Sequence, residues 1–542
     1  MTKHLVELKG TMFRKFEVKK EYWLLLLLFI LNIVIRIPTT PHGPDVTDSI
    51  FVWSLANSIN DSGCITWILN PLSFFGIYAV SYPSGHPVVL SIVSQVTGID
   101  AEYVILICGF LLAALGMLAS YIMALRFSKN HLFAFLTAFA FSTAPIFVEY
   151  TRWTATARGL FLAFLPLLLW GIFSFSKNYT VHKRILFLSI FIFVTLLAVH
   201  RTSYLLALVI VALIITMIIW HLKDKQALMP LLERIPKNGF PVIIGLLCVG
   251  AFLLQFSGIS FYGNIWYNYQ TGAFATGTNT FKLLLNMTTN YIGQIGILLP
   301  AGVIGFFIFV KKSEKSFSEV LIVTTIILFL AISALGHYVP LILLPFVALL
   351  ISLALSRLIQ SCSVSMQNAG SKFGSYGIRT NFTKVLPVVL VIGLLVSICF
   401  SGYMVQRHLH APLEGENKVW MTDDVPPVGN YLENIGETAF TSNDGRLAGR
   451  IYASTGVPEF SRGYKDMHGL INGWIDKDDI EVQAPSLSSL KISSSSIFRQ
   501  VNTPPLKTEG DVRAHVANNR ILGDEDLGHK AYDNHMASVW IV

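Results

Sequence analysis

Charge is what this chain has least of. Asp, Glu, Lys and Arg make up 13% of its 542 residues, where a soluble protein of this size carries roughly 25%. That shortage, beside a hydrophobic content of 53%, excludes an ordinary soluble domain and leaves a polytopic membrane protein as the class. Cysteine is scarce too: Cys64, Cys108, Cys248, Cys362 and Cys399 form no CxxC pair, so neither a disulfide framework nor a zinc site is expected. A cleavable signal is also missing. Basic residues are spread over Lys3 to Lys20, and no small-residue cleavage site follows the apolar run Tyr22 to Ile37. The start therefore reads as a cytoplasmic tail (1–20) followed by a retained first helix. The net charge of +8 would suggest nucleic acid in a soluble chain. Here it reflects basic residues facing the cytoplasm, and no nucleic-acid partner is expected.

Apolar runs fill the first three quarters of the chain. A membrane-spanning helix needs about 20 mostly apolar residues. About eleven stretches qualify: 21–38, 101–126, 131–149, 157–175, 184–200, 203–221, 240–258, 291–311, 318–336, 338–358 and 385–405. Lys and Arg concentrate in alternate connections. The segments left on the other side, before the C-terminal part, hold only Arg152, Arg158, Arg201 and Lys282, with Arg36 at the end of the first helix. By the positive-inside rule the N-terminus is cytoplasmic, and an odd number of spans puts residues 406–542 outside. That segment is polar and turn-rich, and it reads as a small extracytoplasmic α/β domain. Strands are expected near Thr438 to Ser442 and Ser538 to Val542, and a helix over Val428 to Ile435. The transmembrane domain would occupy 21–405, with a long outer loop at 39–87.

That outer loop holds Asp45 and Asp48, then an apolar-periodic run, then Ser81-Tyr82-Pro83-Ser84-Gly85-His86-Pro87, with no basic residue in it. Asp45 and Asp48 also read as helix caps, because Thr47-Asp48-Ser49 precedes an apolar stretch. Asp100 and Glu102 read as caps of the following helix. Arg36 and Arg201 read equally as snorkelling side chains. The functional reading rests on the ensemble. The same face offers Glu149, Arg36, Arg152, Arg158, His200, Arg201 and His337. Ionisable residues at a membrane edge are costly and by default functional. A carboxylate near an acceptor hydroxyl can act as general base, and nearby cations can stabilise a departing phosphate. A second outer stretch, 258–290, carries Tyr262, Trp266, Tyr267 and Tyr269 among glycines and asparagines. It suits a loop covering a sugar or lipid, and equally an interfacial aromatic belt.

Asp48 to Ala56, then Ser62-Gly63, then Tyr82-Pro83-Ser84-Gly85-His86-Pro87 together resemble the first outer loop of the GT-C glycosyltransferases. These include protein O-mannosyltransferases, the aminoarabinose transferase of lipid A and oligosaccharyltransferase catalytic subunits. His337-Tyr338-Val339-Pro340 is similar to the Arg-Tyr…Pro start of a late helix that faces the lipid phosphate in that family. Glu149-Tyr150-Thr151-Arg152 sits where the family often has a second acidic or basic site. Two positions depart from the pattern: Ser49 stands for the usual Glu, and His337 for the usual Arg. The Trp-Trp-Asp-Tyr-Gly motif of oligosaccharyltransferases is missing, which argues for transfer of a single sugar or modification of a lipid-linked glycan.

The resemblance implies a polyprenyl- or dolichyl-phosphate sugar as donor and a glycan or protein as acceptor. It implies Asp48, with Asp45 as its neighbour, as the catalytic acid. Arg201, His200, His337, Arg158 and Arg152 would hold the donor phosphate, Glu149 would form a second acidic site, and Tyr82, His86 and Tyr267 would belong to the substrate loops. A divalent cation, Mg or Mn, would find Asp45, Asp48 and Glu149 as oxygen ligands. A prokaryotic plasma membrane, bacterial or archaeal, is the expected location. Two other readings stand beside this one. A glycan polymerase or ligase uses the same kind of donor. A transporter is expected to show repeats and midplane polar residues, and neither is visible in the sequence.

Overall fold

The computed structural model describes residues 20–38, 44, 47–63, 85–174, 183–224, 239–253, 280–312, 314–332, 338–370, 389 and 391–405, and in the C-terminal part 434, 441–442, 453, 490–494, 529–533 and 537–541. The described residues are mostly helical. Among the described residues, three helices are long and apolar enough to cross a membrane, or four if one bent pair counts as a span. Shorter apolar helices also expose large apolar side chains, such as Leu27, Phe187, Leu246 and Phe307, each more than 60% exposed. So much uncovered apolar surface is what a helix turns to lipid.

The chain begins with α1 (Lys20–Val34) and α2 (Thr47–Ser62), which is followed by the short α3 (Gly85–Thr97). Next comes α4 (Ala101–Ser128). Asp100 stands at its N-cap position, yet its side chain makes no capping bond. The capping role expected of Asp100 is therefore met by position and charge alone. Asn130 caps α5 (His131–Ser142), its side chain accepting from the Leu132 and Phe133 amides.

The stretch 131–149, expected as one span, is two helices. α5 stops at Ser142, and α6 (Pro145–Glu149) starts with a proline at its first turn. Proline has no amide hydrogen and pushes the residue before it out of helical geometry, so Ala144-Pro145 ends one helix and starts another. A loop from Tyr150 to Thr156 leads into α7 (Ala157–Phe173), and that loop is buried along its whole length. Non-helical backbone at such depth persists only where protein covers it or it lines a cavity. Gly109 of α4 admits the loop: a Cβ there would meet the Arg152 and Thr151 carbonyl oxygens at 2.5 and 2.8 Å.

After α8 (Lys183–Val199) a tight 3₁₀ turn, Arg201–Leu205, leads into α9 (Leu206–Asp224), and α10 spans Gly239–Leu253. The expected span 291–311 is also corrected. α11 (Thr280–Ile295) and α12 (Leu299–Lys311) meet at a bend of 99°. Gly296 supplies the break with φ +110, a backbone conformation that residues with a Cβ rarely adopt. α13 (Phe317–Leu330) starts with a Ser316–Glu319 capping box. α14 (Tyr338–Gly370) is the central helix: Val339, Leu341, Ile342, Leu344, Phe346 and Ala348 have no exposed surface. α15 runs from Val391 to Val405.

The C-terminal part contributes a four-stranded sheet, ordered β1 (Thr441–Ser442), β2 (Leu490–Ser494), β4 (Ala537–Ile541), β3 (His529–Asp533). β1 pairs parallel to β2, and the other pairs are antiparallel. Strands β1 and β4 fall in the two segments where strands were expected. Most of Val428 to Ile435 lies outside the described residues. The Asn57 amide of α2 donates to the Ala453 carbonyl at 3.0 Å, tying this part to α2.

Candidate functional site

The buried loop Tyr150–Thr156 is where the separated sequence elements meet. The Ala155 amide donates to the Ser49 hydroxyl at 3.1 Å, joining positions 106 residues apart. Ser49 sits in the first turn of α2 and has no exposed surface. Asp48 is its neighbour, so the two Cα atoms are about 3.8 Å apart across the peptide. The backbone of Asp48 thus enters α2 beside the loop that leads to Arg158.

His86, in the first turn of α3, is bound to the same residue. Its imidazole is hydrogen-bonded to the Ala155 backbone, and its Nδ1 atom is buried without a partner. Burial pushes its pKa down to about 4, the Ala155 bond opposing this only in part. His86 is therefore neutral in the folded protein at any pH above about 4. An unfolded histidine titrates near ~6.5. Between those values the unfolded chain binds the extra proton, so stability is full above the upper one and falls as pH is lowered through the window. The loss is on the order of 3 kcal/mol. Thermal unfolding in detergent should show this slope in wild type and a flatter one in His86→Asn.

Two of the expected phosphate-binding residues, Arg158 and His200, meet at Tyr338, at the start of α14. The Arg158 guanidinium lies 5.8 Å from the Tyr338 ring centroid and 5.1 Å from that of Tyr150, whose hydroxyl accepts from Arg158 Nη1 at 3.1 Å. The His200 ring lies 6.3 Å from the Tyr338 ring. His200 caps the 3₁₀ turn, Nδ1 accepting from the Thr202 amide at 3.0 Å. Arg201 is the next residue along the backbone, and His337 precedes Tyr338. Arg152 is buried in the loop. A cleft of about 210 Å³ opens beside Arg158, and Glu149, Tyr150, Asn290, Gln294 and Met404 share its lining.

The structure therefore brings Arg158, Tyr150 and Glu149 into one cleft, and Arg158 and His200 to one aromatic ring. Asp45, Tyr82, Tyr267 and His337 lie outside the described residues, as do the side chains of Asp48 and Arg201. Among the described residues, no three of His, Cys, Asp and Glu are grouped to hold a metal ion. Glu149 shares its cleft with Arg158, a permanent cation that competes with a metal for the carboxylate.

Arg36 does not snorkel. It is fully buried, and its guanidinium donates to the Thr151 hydroxyl (2.7 Å), the Asn32 side chain (2.8 Å) and carbonyl (3.1 Å), and the Ser142 carbonyl (2.9 Å). It also lies 5.2 Å from the Phe147 ring centroid. The acceptors are near enough to satisfy the charge inside, so the side chain has no need to reach water. Arg36 thereby ties α1 to the root of the buried loop. Sequence reasoning named Ser49 only as a departure from the family pattern, and it passed over Ala155 and the polar positions of α11. The only local signal for the last was a helical repeat of polar residues, Thr289, Asn290 and Gln294, at the edge of an apolar run.

The sequence matches no protein-family model and no curated protein. The fold is similar to several solved structures. One is the archaeal oligosaccharyltransferase AglB from Archaeoglobus fulgidus in complex with an inhibitory peptide and a dolichol-phosphate, at TM-score 0.56 and 11% identity over 89% of this chain and 70% of that one. Another is the A. fulgidus oligosaccharyltransferase tethered with an acceptor peptide containing the NVT sequon, at TM-score 0.59, 11% identity and the same 89% and 70% coverage. A third is ArnT from Cupriavidus metallidurans bound to undecaprenyl phosphate, at TM-score 0.51 and 11% identity over 96% of this chain and 97% of that one. The chain shares the fold of these solved structures.

Proposed function

We propose that this protein is an integral membrane glycosyltransferase that takes a sugar from a polyprenyl-phosphate donor and transfers it to an acceptor at the outer face of the membrane. The observation that carries this reading is convergence. Ser49, and with it the backbone of Asp48, is bound to the loop that leads into Arg158, and Arg158 and His200 meet at Tyr338. A prospective base and prospective phosphate ligands thus share one end of the bundle. The fold shared with proteins bound to dolichol-phosphate and undecaprenyl phosphate supports the lipid-phosphate donor.

In the reaction, the donor's phosphate lies against Arg158, with His200, Arg201 and His337 around it. Asp48 takes the proton of the acceptor hydroxyl as that oxygen attacks the anomeric carbon. The bond between that carbon and the phosphate oxygen breaks, the configuration inverts, and the electron pair leaves on the lipid phosphate. The surrounding cations stabilise that charge. Loop 39–87 and segment 258–290 would cover the sugar, the extracytoplasmic C-terminal part would rest on this end, and a prokaryotic plasma membrane would be the location.

Lipid binding tests the reading. Dolichyl phosphate or undecaprenyl phosphate should raise the unfolding temperature of the purified protein, and Arg158→Gln should weaken that binding roughly tenfold to a hundredfold, as expected for a charge-assisted contact to phosphate. If neither lipid is bound by wild type, the reading is overturned; if Arg158→Gln binds them as well as wild type, the phosphate site is elsewhere.

A further inference from the structure

The wall that α11 presents to the cleft has a chemistry unlike that of the opposite wall. Thr289, Asn290, Gly293 and Gln294 all line it, and residues four apart lie on one face of a helix. Gln294 is 8% exposed and donates from Nε2 to Asn290 Oδ1 at 2.8 Å, which fixes both amides. Gly293 lets Met404 of α15 close the floor: a Cβ there would stand 3.0 Å from the Met404 methyl. One turn later the chain bends by 99° at Gly296, so this polar face ends where the apolar α12 begins. Across the cleft stand Glu149, Tyr150 and Arg158.

The two walls suit different parts of one ligand. A phosphate accepts only, and it is best met by a guanidinium. A sugar hydroxyl both donates and accepts, and it is best met by neutral amides and hydroxyls, which do both, and by a carboxylate, which accepts. Resting on the proposed function, we propose that the Thr289–Asn290–Gln294 face of α11 is a sugar subsite: it binds hydroxyl groups of the lipid-linked donor's sugar while Arg158 faces the phosphate. The subsite then selects the sugar, and the phosphate wall only retains the lipid.

The test compares sugar-bearing with bare lipid on the full-length protein. Affinities are measured for dolichyl phosphate and for dolichyl phosphate carrying mannose, glucose or N-acetylglucosamine. Wild type should bind at least one sugar-bearing lipid roughly tenfold tighter than bare dolichyl phosphate, as a few hydrogen bonds provide. Asn290→Leu should reduce that preference to about twofold or less while binding bare dolichyl phosphate as wild type does. Thr289→Val, at an exposed position, should reduce it in part and carries the test if Asn290→Leu fails to fold. The proposal is overturned if no sugar-bearing lipid is preferred by wild type, if both variants keep the full preference, or if they lose bare lipid equally. Failure of wild type to bind even the bare lipid would instead overturn the proposed function.

Discussion

Asp48→Asn is expected to lower sugar transfer roughly 10²- to 10⁴-fold, the range lost when a general base is removed, with insertion and folding intact. The substitution keeps the shape of the side chain and its place in the first turn of α2, but the amide no longer takes a proton at neutral pH. Binding of dolichyl phosphate should be unchanged, because the proposed phosphate ligands are Arg158 and its neighbours, not Asp48. A fall in the transfer rate with unchanged lipid affinity is the signature to measure. Full transfer by Asp48→Asn would sink its role as base, and Asp45→Asn would then be the variant to examine.

Arg36→Met should have the largest effect on stability. The methionine fills much of the same space but donates nothing, so the Ser142 carbonyl, the Asn32 side chain and the Thr151 hydroxyl lose a charged donor in the protein interior. Each lost bond to a buried acceptor costs about 1–3 kcal/mol, and the partial re-pairing of Asn32 with Ser142 Oγ, already present at 3.0 Å, offsets some of it. A net loss of roughly 3–5 kcal/mol is expected. Arg36→Lys should recover little, because one ammonium does not reach acceptors in three directions. Activity should fall with stability, since Thr151 belongs to the loop that holds Ser49 and leads to Arg158. Thermal unfolding in detergent is the measurement. An unfolding temperature unchanged in Arg36→Met would restore the snorkelling interpretation.

Much of the helical architecture was legible because its signal is local. Long apolar runs gave α4, α9 and α14 near their observed positions. The breaks at Ala144-Pro145 and Gly296 were passed over because hydropathy continues through both, although the proline and the glycine were in plain view. Of the site candidates named from residue type, the structure brings Arg158 and Glu149 to one cleft and Arg158 and His200 to one ring. What the sequence could not show was which of them touch. The Ser49–Ala155 bond and the meeting of Arg158 with Tyr338 join segments more than a hundred residues apart, and no local pattern encodes such contacts. Arg36 was misjudged for the same reason: a charge at the end of an apolar helix looks alike whether its partners are water or distant carbonyls, and only the tertiary packing supplied Ser142 and Thr151.

The central claim, transfer of a lipid-linked sugar, is tested most directly by mass spectrometry of surface glycoproteins and glycolipids from cells lacking this protein, complemented with wild type or with Asp48→Asn. The account predicts a glycan shortened by one sugar in the deletion strain, restored by wild type and not by Asp48→Asn. Identical glycans in all three strains would contradict it and favour transport, or an acceptor outside the surface glycans.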